Sequence, residues 1–427
     1  MTMLKKIFGH EHINRDLILL LCIGGFYSLS IALSNTFVNV YLWKQSGEFR
    51  DLALYNLAIV VLQPLTFVFA GRLAKKVDRI IVLRLGVSFL AAFFMSVLLV
   101  GQRADDYLLL LGSLLGIGYG FYWLAFNVLT FEITEPNTRD FFNGFLGILT
   151  SAAGMIGPIA AGYIISMLVK KGYTLIFSIS LGMFLIAVVL SFFLKRRQAE
   201  GKYALLRIIK ERQNNKEWRL ITNAHFFQGL REGIFVFIIS VFVYVATDSE
   251  WALGKFGFVN SLTSFVAYYV ASRLIKPSYR KLAILCGGLL LYAAIFLIVF
   301  DPSYMRLMLY AVAIAIAYPI LLVPYSSLTF DVIGKSWGSA DRRIEYIVVR
   351  ELFLNAGRIV SILAFLFTIT FFNEKSGISV LMMVLGAGHT MIYWFIRPIE
   401  VSRKQQREGD EAVLRRTFTN KEGGSPA

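Results

Sequence analysis

Two groups of ionisable side chains lie inside stretches of sequence that are otherwise almost wholly apolar. In the stretch 220–246, His225, Gln228 and Glu232 recur at spacings i, i+3 and i+7, which places them on one face of a helix, with Arg231 beside them. In the stretch 346–372, Glu351, Asn355 and Arg358 recur at i, i+4 and i+7, again on one face, while Arg350 lies about 100° away around the helix. A charge at the centre of a spanning helix costs about 2.5 to 3.5 kcal/mol on insertion scales, so Glu232 must be paired or protonated. Pairing makes it a clamp between helices. Protonation makes it a proton carrier, with His225 as a relay. Arg358 keeps its charge at any attainable pH and needs a carboxylate, a carbonyl or an anionic solute. Glu232 is its partner if the two stretches adjoin, and Glu351 could instead serve Arg231. The chemistry these residues offer is proton transfer and anion recognition inside a membrane.

The elements that carry them follow from composition. With 57% hydrophobic residues and only 16% charged, the chain is too apolar for an ordinary water-soluble domain. A spanning helix needs about 20 apolar residues. Twelve stretches qualify: 17–43, 54–74, 80–100, 107–131, 144–169, 173–194, 220–246, 251–274, 282–300, 307–333, 346–372 and 379–399. The runs are continuous rather than alternating, which excludes a transmembrane barrel. The expected fold is therefore an all-α membrane protein of twelve transmembrane helices in two pseudo-symmetric six-helix bundles. Its parts are an N-terminal bundle over 1–194, a linker with an interfacial amphipathic helix over 195–219, a C-terminal bundle over 220–400 and a flexible tail over 401–427.

The chain also repeats itself at an offset of about 200 residues, the signature of a duplicated bundle. Val38, Val40 and Tyr41 recur as Val241, Val243 and Tyr244. Ala70, Arg72, Leu73, Lys75, Arg79 and Gly86 recur as Ala271, Arg273, Leu274, Lys276, Arg280 and Gly287. Tyr119 recurs as Tyr318, and Leu129, Thr130, Phe131 and Glu132 recur as Leu328, Thr329, Phe330 and Asp331. Ala153, Gly154 and Ile156 recur as Ala356, Gly357 and Ile359. The order is kept throughout.

Lys and Arg collect in 72–84, 195–219 and 273–281, at Lys335, Arg342 and Arg343, and at both ends of the chain, which predicts that both termini and the central linker are cytoplasmic. The net charge of +16 then reflects topology and anionic lipid headgroups rather than a nucleic-acid partner. The first stretch is too long for a removable signal and reads as an uncleaved span. Cys22 and Cys286 read as buried apolar filler. No metal site and no cofactor are expected, and without a G-x4-G-K-S/T loop the chain is not expected to hydrolyse ATP.

The first half contributes no charge to the middle of its spans 17–43 and 107–131. It offers Ser28, Asn35, Asn39, Gln63, Tyr119, Tyr122, Trp123 and Asn127, with Tyr119 and Trp123 on one face, while Tyr318 and Tyr325 repeat the aromatic pattern in the second half. These residues form either an amphiphilic wall opposite the charged half or a set of interfacial aromatics and packing amides.

Across almost its whole length the chain resembles the major facilitator superfamily. The loop signature after the second span, G-x-x-x-D/N-R-x-G-R-K/R in that family, reads here from Gly71 through Lys75, Lys76, Asp78 and Arg79 to Ile80. Lys75 replaces the acid that braces one conformation in the family, and Asp78, in place of the second glycine, is the residue able to substitute for it. Gly144, Ala153, Gly157, Pro158, Ala161 and Gly162 are similar to the family's antiporter signature in the fifth span; close helix packing alone would also select small residues there. The charged pattern in 346–372 resembles a YqgE-like branch of the superfamily. The resemblance implies a pathway lined by the stretches 17–43, 107–131, 220–246 and 307–333. It further implies no enzyme but a plasma-membrane transporter, functional as a monomer among membrane lipids, moving a small amphiphilic or anionic solute by alternating access. Protons are the expected coupling ion, carried by Glu232 or Glu351, and export by antiport is the leading direction. Uptake by symport, lipid or glycolipid translocation and a non-transporting receptor or scaffold are the alternatives.

Overall fold

The computed structural model describes residues 14–133, 136–168, 171–196, 202–339 and 341–400. Among these the regular structure is helical throughout: α1 (Arg15–Ser46), α2 (Phe49–Lys76), α3 (Arg79–Val100), α4 (Leu108–Ile133), α5 (Pro136–Met167), α6 (Gly172–Phe192), α7 (Leu205–Asn214), α8 (Lys216–Thr247), α9 (Glu250–Leu274), α10 (Arg280–Ile295), α11 (Tyr304–Lys335), α12 (Arg343–Phe371), α13 (Glu374–Gly386) and α14 (Gly388–Ile396). Each predicted stretch is occupied by helix. The last is divided into α13 and α14, and 282–300 leaves the helix after Ile295.

By length and apolarity, ten helical runs among the described residues are able to cross a membrane. Two differences separate this number from twelve. α3 and α4, joined through a short 3-10 segment, make one run of 52 residues, and α9, which carries Glu250, Lys255 and Arg273, is not among the ten. Local signals set the helix ends. Asn14 caps α1, Asp78 caps α3, Asn215 caps α8 and Ser249 caps α9, each accepting a bond from a backbone amide of the first turn. Gly47 turns the chain out of α1 at φ 67°, a conformation that glycine adopts without penalty.

The sequence repeat is built into the packing. Gly86 of α3 lies against the backbone of Tyr122 on α4, and its counterpart Gly287 of α10 lies against Leu321 on α11, so a side chain at either position would meet backbone. Arg79 pairs with Glu132 at 2.8 Å, and the repeated Arg280 pairs with Asp331 at 2.8 Å.

Contacts between the first six helices and the later ones run through α2 against α12, α5 against α9, and α1 against α8. Gly162 and Pro158 of α5 meet Gly254 and Gly257 of α9, while Gly157 meets Ala32 of α1. These small residues therefore act in close helix packing. Gly144 lies in the same helix. At the end of the molecule where α2 finishes and α12 begins, Lys75 reaches Glu345 at 2.6 Å and the Asp341 carbonyl at 2.9 Å. At the opposite end Lys44 of α1 meets Glu250 of α9 at 2.7 Å.

Asp78 caps α3 and faces Arg196, at 3.2 Å, on its own side of the molecule. The bond to α12 belongs to Lys75, with the charges of the family pattern reversed, because Glu345 supplies the acid. Lys76 is exposed. Cys22 and Cys286 are both exposed rather than buried. In a lipid-facing helix the outward face is itself apolar surroundings, so a thiol there needs no core.

The linker helix α7 docks on the second half. Ile208 is fully buried, the Trp218 indole donates to its carbonyl, and Arg207 and Arg212 stack on Trp337 and Phe353. Just before it, Tyr203 donates to the Val68 carbonyl and packs against Gly71, while the Ala204 amide donates to Glu345. Burial beside Glu345 pushes the Tyr203 phenol up, which keeps its donor proton in place. The tail 401–427 and the residues before Asn14 lie outside the described residues.

Candidate functional site

α8 is the most enclosed of the ten spanning runs. Gly229 and Gly233 let α12 approach it closely, since a side chain at either would meet the α12 backbone. This approach brings the two charged faces together. Arg358 Nη2 stands 2.6 Å from Glu232 Oε2, and Nε stands 3.2 Å from the same oxygen. The partnership expected from spacing alone is therefore present.

The second oxygen of Glu232 is the hub of a longer chain of bonds. Gln228 Nε2 donates to Oε1 at 2.8 Å and the Tyr318 hydroxyl donates to it at 3.0 Å. Gln228 Oε1 stands 3.0 Å from His225 Nδ1, and His225 Nε2 stands 3.3 Å from the Thr329 hydroxyl. The chain thus runs Thr329, His225, Gln228, Glu232, Tyr318, with Arg358 branching from its carboxylate. Both imidazole nitrogens are engaged, and the path leads from Glu232 toward the end of α8 that carries the basic linker. Tyr325 sets its ring 4.8 Å from His225, tilted by 44°, and its hydroxyl is without a partner among the described residues. α11 contributes Tyr318, Tyr325 and Thr329 around two internal prolines, Pro319 and Pro324, which remove backbone bonds and loosen the helix at this level.

Asn355 orients the arginine, accepting from Arg358 Nη1 at 3.3 Å while donating to the Glu351 carbonyl. The Glu351 side chain does not reach Arg231. Its neighbour Arg350 takes it at 2.7 Å, so the proposed Glu351 to Arg231 pair is replaced by a local one along α12. Arg231 is buried at 3% exposure, with Phe235 and Tyr318 against its guanidinium.

The polar residues of the first half form a separate set. Tyr119 donates to Asn35 at 3.4 Å, Asn39 bonds to Asn56 at 3.0 Å, and Ser28 meets Thr150 at 3.0 Å. Tyr122 stacks on Tyr27 at 4.0 Å with Trp123 edge-on to both; Trp123 is exposed and Asn127 half-buried. None of the hydrogen bonds or ring contacts among the described residues joins this set to the Glu232 chain. Sequence reasoning missed three participants. Thr329 was visible only as a repeat of Thr130, Tyr27 as one aromatic among many, and His389 of α14 as an isolated histidine.

Many apolar helices around a buried, charge-bearing hydrogen-bond chain define a multi-pass membrane protein of the transporter class. Comparison with known proteins makes this specific. The Major Facilitator Superfamily description matches residues 17–340, and the chain belongs to that family. It is 62% identical over 415 residues to the uncharacterized protein YqgE of Bacillus subtilis, covering 97% of this chain and 96% of that protein. It is 75% identical over 178 residues to an uncharacterized protein from the sodM 3' region of Geobacillus stearothermophilus, covering 42% of this chain and 83% of that one. Among solved structures it is similar to the human organic anion transporter MFSD10 (TETRAN), with TM-score 0.65 and 16% identity over 90% of this chain and 100% of that chain. It is also similar to a bacterial homologue of the iron transporter ferroportin in an outward-facing state, with TM-score 0.64 and 17% identity over 90% of this chain and 99% of that chain. Both structural likenesses are of fold. By family and fold the protein is a transmembrane transporter.

Proposed function

We propose that the protein is a proton-coupled secondary transporter that exports a small amphiphilic or anionic solute across the plasma membrane. It works as a monomer by alternating access, with both termini in the cytoplasm. The observation that carries this reading is the bonding of Glu232. One carboxylate in the middle of the molecule is held at once by a guanidinium, a phenol and an amide that leads to an imidazole. A pure clamp would need only Arg358. The Tyr318 hydroxyl is a group able to exchange a proton with the carboxylate, and protonating Glu232 releases Arg358 for another anion. The small-residue contact of α5 with α9 and the Lys75 and Lys44 bonds lie between the two sets of helices that would rock against each other. The naming of the human structural neighbour as an organic anion transporter agrees with an anionic solute.

The test has two stages. Untargeted comparison of metabolites inside and outside cells expressing wild type or Arg358→Ala, at matched membrane levels, identifies the solute; a compound enriched outside only with wild type is expected. Proteoliposomes carrying an imposed pH gradient then measure its flux, which Glu232→Gln is expected to uncouple from the gradient. Depletion of a compound from the medium would replace export with uptake. No wild-type-dependent compound on either side would sink the small-solute reading.

A further inference from the structure

One cation of the buried cluster has no anion among the described residues. Arg231 leaves α8 one residue before Glu232, so the two side chains depart about 100° apart and Arg231 faces α11 and α14 rather than α12. Its guanidinium lies 4.7 Å from the Phe235 ring and 5.9 Å from the Tyr318 ring, with Tyr310 beside it. Nε and Nη2 have no hydrogen-bond partner among the described residues. On α14, His389 is fully buried and stands edge-on to Tyr318 at 5.4 Å, and neither of its ring nitrogens has a partner. Gly388 packs on the Arg231 backbone, which holds α14 against this turn of α8, and the imidazole lies within electrostatic reach of Arg231 and Glu232.

The carboxylates nearby are already committed. Glu232 is held by Arg358, Tyr318 and Gln228, and Glu351 by Arg350. Three arginines thus face two glutamates, and the surplus charge rests on Arg231. A buried cation with unmade hydrogen bonds is strongly unfavourable unless something supplies acceptors. Water could satisfy donors but not charge.

We propose that Arg231 and His389 form the binding site for the anionic group of the solute, a carboxylate on a compact apolar body. Nε and Nη2 make up one edge of the guanidinium, the two parallel donors that fit both oxygens of a carboxylate. Phe235 and Tyr318 lie against the guanidinium and suit an apolar body, and His389 adds a third donor or a selectivity contact from α14. Tyr318 touches this site with its ring and Glu232 with its hydroxyl, so it links solute binding to the proton site. The assignment rests on the transporter reading and names its substrate class.

Full-length protein in lipid nanodiscs, titrated with sodium benzoate, sodium hexanoate or sodium chloride at ionic strength held constant with sulfate, tests it by thermal unfolding. Benzoate or hexanoate is expected to raise Tm saturably, and chloride to raise it less. Arg231→Gln is expected to lose that shift, to unfold no earlier than wild type in carboxylate-free buffer, and to be partly rescued by Arg231→Lys; His389→Gln is expected to weaken the apparent affinity. The proposal is overturned if neither carboxylate stabilises the wild type saturably, if Arg231→Gln responds as wild type does, or if chloride equals the carboxylates. A marked destabilisation of Arg231→Gln also overturns it, because Arg231 then serves the fold. Proton flux that depends on Glu232 in the same preparation, with no carboxylate effect, would refute this site while leaving the transporter reading intact.

Discussion

The two halves keep the same frame and differ in the middle. Arg79 with Glu132 and Arg280 with Asp331 are one ion pair written twice, and Gly86 and Gly287 permit the same close helix crossing. Between those fixed points the first half holds Asn35, Tyr119 and a Tyr27, Tyr122, Trp123 stack, whereas the second holds Glu232, Arg358, Arg231 and two buried histidines. Duplication preserved what positions the helices and left the membrane centre free to diverge. One half kept neutral amides and aromatics and the other concentrated charge. Charge in a membrane interior is expensive to keep, so a division of labour that confines it to one bundle limits that cost to one place.

The contrast can be broken most severely at the charged centre. Arg358→Gln leaves Glu232 buried and uncompensated and should destabilise the protein by about 3–5 kcal/mol, with the Glu232→Gln, Arg358→Gln double variant recovering much of the loss. Asn35→Ala in the first half should lose only about 0.5–1.5 kcal/mol, the worth of one neutral hydrogen bond. Unfolding in nanodiscs measures all of these, and equal losses would erase the asymmetry. The contacts between halves come next. Lys75 and Glu345 are both buried, so Lys75→Gln should lose about 3 kcal/mol or more. Lys44 is 40% exposed in its bond to Glu250, so Lys44→Gln should lose about 1 kcal/mol or less. Cysteine-accessibility labelling of the two ends should show the basic end opened by the first variant, and the opposite result would reverse their ranking. Smaller and matched effects are expected where the halves agree. Gly86→Ala and Gly287→Ala should each lose about 1–3 kcal/mol through overpacking, within error of each other. Arg79→Gln and Arg280→Gln should each lose about 0.2–1 kcal/mol, and a large difference within either matched pair would show that the shared frame has also diverged.

Much of this was legible in the sequence because membrane helices obey simple rules. Continuous apolar runs fix where helices lie, and the ordered matches between Arg79 and Arg280 or Gly86 and Gly287 announce the duplication. The i, i+3, i+7 pattern of His225, Gln228 and Glu232 was sufficient to place one polar face, and the demand of Arg358 for an anion was sufficient to name its partner. The failures have equally specific causes. Asp78 looked like a brace because it is the nearest acid to a lost one, whereas one of its oxygens caps α3 and the other meets Arg196. Glu351 looked free to reach Arg231, but Arg350 lies closer along the same helix. His389 carried no spacing signal, since its helix holds no acidic or basic residue besides it.

Sequence by itself determined that this is a bundle of membrane-crossing helices, that it arose by duplication, and that charge is buried in its second half, since hydropathy, repetition and residue type are properties of a linear string. Only the tertiary structure decided which charges meet. Arg358 takes Glu232, Arg350 takes Glu351, Lys75 crosses to Glu345, and Arg231 is left over beside His389. Ion pairing is settled at distances of a few ångströms, and those distances are set by where glycines such as Gly229 and Gly233 let α12 lie against α8.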